Sequence, residues 1–110
     1  MRALTEDAAT ALLCALSANF GTFRGLFRVD SISSRPWASV TFSGARHRIA
    51  LTLEGEGAAA AADSFAARLG DAEFDLQGHI LADIVLAGEE RSPSGDRVAM
   101  RVEALTVENR

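Results

Sequence analysis

Hydrophobic and polar positions alternate with period two over 46–54. His47, Ile49, Leu51 and Leu53 fall on one side, and Arg46, Arg48, Ala50, Thr52 and Glu54 on the other. That spacing predicts a half-buried strand. Gly55, Glu56 and Gly57 interrupt it, and over 58–69 the period turns helical, with Ala58, Ala61, Ala62, Phe65, Ala66 and Leu69 on one stripe. Gly70 stands where a left-handed residue ends a helix. Alternation returns over 74–86, with Phe74, Leu76, Gly78, Ile80, Ala82, Ile84 and Leu86 on one side and Asp75, Gln77, His79, Leu81, Asp83 and Val85 on the other. A strand, a helix and a longer strand are expected to share one core.

The flanking stretches extend this pattern in both directions. Thr5, followed by Glu6 and Asp7, reads as a helix N-cap with acids near the positive end of the helix dipole. The helix should run to about Asn19 with Ala9, Leu12, Leu13, Leu16 and Phe20 inward and Cys14 at the edge of the stripe. Over 22–33, Phe23, Phe27 and Val29 alternate with Arg24, Arg28 and Asp30, which leaves Leu26 and Ile32 on the charged side. Ser33, Ser34, Arg35 and Pro36 read as a turn and Trp37 as the residue closing one end of the core. A short strand, 38–42, then leads through Ser43, Gly44 and Ala45 into the central strand. After the turn 92–96, Val98, Met100 and Val102 alternate regularly, but Leu105 and Val107 have the opposite parity. Either a bulge near Glu103 and Ala104 flips the register, or both faces are covered there. Gly78 is a second bulge or bend candidate. The expected architecture is a single α+β domain over 1–110, in two layers. Its order is α-β-β-β-α-β-β, with a mostly antiparallel five-stranded sheet.

Charge and composition narrow the functional classes. A formal net charge of −4 opposes sequence-independent nucleic-acid binding, which needs clustered basic side chains. All 11 basic residues are Arg, and with the abundant Ala this reads as compositional bias rather than a demand for guanidinium chemistry. Cys14, the only cysteine, permits no intrachain disulfide and no zinc spacing, and fits a reducing cytoplasm. No apolar run approaches the ~20 residues that span a bilayer. Glu6 and Asp7 interrupt any signal-peptide core, so a cytoplasmic protein without membrane attachment is expected.

No P-loop, dinucleotide-binding glycine fingerprint, paired metal-spaced histidines or G-x-S-x-G motif occurs, and no cofactor or metal is expected. Gly55, Glu56 and Gly57 precede a helix, but the Glu56 carboxylate opposes an anion there. Three residues are candidates for acid or base work: His47, His79 and Asp83. Strict alternation puts His79 and Asp83 on one face of their strand, roughly 13 Å apart, so each would need a partner from another strand. His47 heads an apolar face, where an imidazole satisfied by its neighbours is the simplest reading. Arg46 and Arg48 form a basic spot able to accept a carboxylate.

The apolar residues on the charged face are more informative. Leu26, Ile32, Leu81, Val85, Leu105 and Val107 all fall there, and several together form a patch that something must cover. The first helix or a second copy of the chain are the two candidates. The beginning of the order, α-β-β-β-α, is similar to double-stranded RNA-binding domains, but Gly57, Ala58, Ala59 and Ala60 lack the lysines with which that family grips phosphate. The complete order resembles type III secretion chaperones, homodimers that wrap an extended effector segment on apolar patches. The family's last helix is replaced here by the strand 102–107. The first reading is a non-enzymatic binding or assembly module acting as a homodimer through an apolar sheet face. The alternatives are a small ligand-binding domain or enzyme with a helix-sheet pocket holding His47, His79 and Asp83, and a chaperone-like protein binding an extended segment.

Overall fold

The computed structural model describes residues 4–69, 76 and 78–108, with side chains from residue 7 onward. Two helices and four strands follow in the order α1 (Leu4–Asn19), β1 (Leu26–Ala38), β2 (Ser43–Glu54), α2 (Ala58–Arg68), β3 (His79–Arg91) and β4 (Arg97–Glu108). The sheet order is β1-β2-β4-β3, and every neighbouring pair is antiparallel. β2 and β3, on either side of α2, therefore run in the same direction with β4 between them.

The α+β class agrees with the sequence pattern, but the sheet has four strands, not five. Ser33, Ser34, Arg35 and Pro36 are not a turn; they lie inside the 13-residue β1. Pro36 is accommodated because β1 is an edge strand, where a residue without an N–H breaks no ladder. The chain reverses instead at 39–42, where the Ser39 N–H donates to the Phe42 carbonyl at 2.7 Å and the Phe42 N–H donates to Ser39 Oγ at 3.1 Å.

Both helices pack on one face of the sheet. α1 buries Ala8, Leu12 and Leu16, with Phe20 just beyond its end, and α2 buries Ala58, Ala62 and Phe65, followed by Leu69. They meet Ile49, Leu51 and Leu53 of β2 and Val98, Met100, Val102 and Ala104 of β4. Phe20 joins the layers, its ring centroid 5.2 Å from that of Phe27 and 4.9 Å from that of Phe65. The helical stripes follow the expected spacing, except that Ala66 is exposed and Ala8 is more deeply buried than Ala9. Cys14 is exposed, and α1 begins at Leu4, which puts Thr5 inside the helix instead of at its cap. Gly70, Phe74, Asp75 and Gln77 lie outside the described residues. Between β2 and α2, Gly55 adopts φ 125° and Gly57 φ 85°, conformations that residues bearing a Cβ rarely take. Gly55 N–H also donates to Asp96 O at 2.7 Å, tying this turn to the one before β4.

Three extra residues break the alternation. Asp30 is unpaired in β1, and Ala82 and Ala87 are unpaired in β3, while the pairing of β2 with β4 is continuous. Each bulge moves the following side chains to the other face. Ile32, expected among the charges, instead pairs with Ile49 on the helix side and packs on the core. Leu81 likewise lies on the helix side, opposite buried Thr106. No bulge occurs at Glu103 or Ala104; β4 alternates regularly as far as Thr106, and Leu105 and Val107 point away from the helices. Gly78, with φ 80°, sits in a turn ahead of β3, where the His79 N–H donates to the Leu76 carbonyl at 2.9 Å.

Candidate functional site

Neither described helix packs on the second face of the sheet, and cross-strand pairing arranges its side chains in rows. Across β1, β2, β4 and β3, one row reads Trp37, Gly44, Val107 and Ile80. The next reads Arg35, Arg46, Leu105 and Asp83, and the third Ser33, Arg48, Glu103 and Val85. Paired residues of an antiparallel sheet project from the same face, so these rows form one surface at the β1–β2 hairpin end. Trp37, Ile80, Val85, Leu105 and Val107 all stand apart from the packed core, and Ile80 and Val85 are 50% and 46% exposed. The neighbouring hairpin tip exposes Val40 and Phe42 as well.

Charges differ between the two ends of this face. At the far end, Arg28 Nε donates to Asp30 Oδ1 at 2.7 Å and its Nη1 to Glu54 Oε1 at 3.3 Å, while Arg97 Nε approaches the same Glu54 oxygen at 3.6 Å. Beneath them the buried Thr52 hydroxyl donates to Asp30 Oδ2 at 2.5 Å. That hydrogen bond, followed by the one from Arg28, holds the Asp30 carboxyl below the usual carboxylate range. At the hairpin end, by contrast, Arg35, Arg46, Arg48, Asp83 and Glu103 form no ion pair among the described residues. Between the ends lies a shallow cleft of about 410 Å³, lined in part by Ser31, Ser33, Arg48, Arg101 and Glu103. Arg101 folds across Gly88, where a Cβ would come within 1.9 Å of its Nη2.

Compared with protein-family models, curated proteins and solved structures, the chain matches none of them.

The histidine candidates lie elsewhere. His47 is buried on the helix side, its Nδ1 2.6 Å from Ser34 Oγ and its Nε2 2.9 Å from Thr106 Oγ1. The Thr106 hydroxyl donates to the Ala45 carbonyl at 3.4 Å, so it accepts from Nε2–H, and Nδ1 accepts from Ser34. Both ring nitrogens are thus occupied. Burial, and then the neighbouring His79, lower the His47 pKa and favour the neutral ring. His79 shares that face, but the Ala82 bulge carries Asp83 to the opposite one, where it pairs with Leu105. The expected constellation of His47, His79 and Asp83 is therefore not assembled. The expected basic spot divides too: Arg48 lines the cleft, and Arg46 stands in the row containing Leu105.

Of the six apolar residues expected on the charged face, Leu26, Val85, Leu105 and Val107 are there, and Ile32 and Leu81 are not. Trp37 and Ile80 take their places, and alternation without the bulges could not reveal either. Thr106, as a partner of His47, was legible from its parity with Val98; Ser34 was not, because its facing depends on the Asp30 bulge. Among the described residues, no group of three or more His, Cys, Asp and Glu is placed to hold a metal, and no helix is long and apolar enough to cross a membrane.

Proposed function

We propose that this chain is a non-enzymatic binding and assembly module whose working surface is the hairpin end of the open sheet face. The observation that carries the reading is the row Trp37, Gly44, Val107 and Ile80. It places large apolar side chains together on a face that neither helix covers. Single exposed apolar residues are ordinary, whereas a contiguous set framed by charges has the composition of an interface core and rim. Arg35, Arg46, Asp83 and Glu103, without ion pairs among the described residues, provide that frame. The engaged nitrogens of His47, and its separation from Asp83, favour this reading over a catalytic pocket.

The variant Ile80→Asp tests it. A docking surface tolerates the change, so at dilutions where the chain is monomeric the melting temperature should stay within roughly 4 °C of wild type. Binding of the apolar dye bis-ANS at high protein dilution should fall. A strongly destabilised Ile80→Asp would mean that the face is part of the chain's own core, contradicting the reading.

A further inference from the structure

We infer that the occupant of this face is a second copy of the chain, laid face to face across a two-fold axis parallel to the strands; this rests on the reading of the open face as a docking surface. Such an axis, passing between β2 and β4, maps each cross-strand row onto itself in reverse order. Trp37 of one copy then meets Ile80 of the other, and Val107 meets the side-chain-free Gly44. Arg35 meets Asp83, and Arg48 meets Glu103. Arg46 falls opposite Leu105 and Ser33 opposite Val85, while the remaining charges are self-complementary, because β1 and β2 contribute the basic residues of these rows and β4 and β3 the acidic ones. A two-fold contact requires this property, since each residue type must find its complement on the same surface. Near-parallel strands also suit the aligned packing of two sheets.

The edge strands also favour a second copy on the face over one on a sheet edge. β1 carries Pro36 and the Asp30 bulge, and β3 carries bulges at Ala82 and Ala87. These devices block strand addition at both edges.

Charge reversal provides the test. Arg35 and Asp83 stand on opposite edges of one sheet, about 14 Å apart across three strand spacings, so reversing either leaves the other undisturbed within a chain. Sedimentation velocity on the full chain should show a wild-type dimer. Arg35→Glu and Asp83→Arg should each weaken it roughly 10- to 100-fold, because every dimer contains the contact twice. An equimolar mixture of the two variants should recover a dimer near wild-type strength, since each copy supplies the charge that the other needs. Circular dichroism confirms that both variants are folded. A wild type that is monomeric throughout, reversals without effect, or a mixture no tighter than its components would each overturn the inference. A monomer whose Ile80→Asp variant melts normally and binds less bis-ANS would keep the docking surface and assign it to a different occupant, such as an extended segment of another protein.

Discussion

At the scale of single residues, two polar groups are shielded from solvent on different terms. His47 is satisfied on both nitrogens and stays neutral, so its contribution depends on pH. A depressed folded-state pKa means that the unfolded chain takes up the proton more readily. The stabilisation is therefore complete above the ordinary value of 6.5 and is lost as pH falls through the folded value. Urea midpoints should drop as pH falls below 6.5, and His47→Gln should flatten that descent. A second loss belongs to Asp30, whose depressed carboxyl contributes above its ordinary 3.8 and ceases to as pH falls through its folded value. Trp37 differs from His47 because its shielded Nε1 has no acceptor among the described residues. Leaving such a donor unsatisfied costs about 1–3 kcal/mol, so Trp37→Phe should leave the urea-unfolding free energy unchanged or raise it by about 1 kcal/mol. Gly55, at φ 125°, should resist any Cβ: Gly55→Ala is expected to cost about 1–3 kcal/mol in the same assay.

At the scale of elements, the helices and the two central strands were legible because their periods are unbroken. His47, Ile49, Leu51 and Leu53 in β2 and Val98, Met100 and Val102 in β4 keep strict alternation, and the stripes of α1 and α2 hold within one residue. The edge strands were not legible. In β1, the unpaired Asp30 is fixed by Arg28 and by Thr52 of the next strand, a cross-strand contact invisible in a single stretch of sequence. In β3, apolar residues occur at both parities from Ile80 to Leu86, so the pattern alone cannot locate the extra residue at Ala82. The candidate site depended on these bulges, which is why Leu81 and Ile32 were expected on the open face and Ile80 and Trp37 were not. Leu81→Asp, facing the core, should lose roughly 3 kcal/mol or more of stability, whereas Val85→Asp on the open face should change it by less than about 1 kcal/mol. Comparable losses in the two variants would contradict the bulge.

At the scale of the whole molecule, strands of 12 or 13 residues are longer than the helices that cover them. An 11-residue helix spans about 16 Å, and a 13-residue strand about 43 Å. The sheet consequently extends beyond α2, and its open face is apolar at the hairpin end and internally ion-paired at the other. The most direct test is solution mass by light scattering across a dilution series of the wild-type chain. Association through this face predicts a mass near twice 11.6 kDa that falls towards 11.6 kDa on dilution, and does so at higher protein concentrations when salt is raised. A mass of 11.6 kDa at every concentration would contradict it.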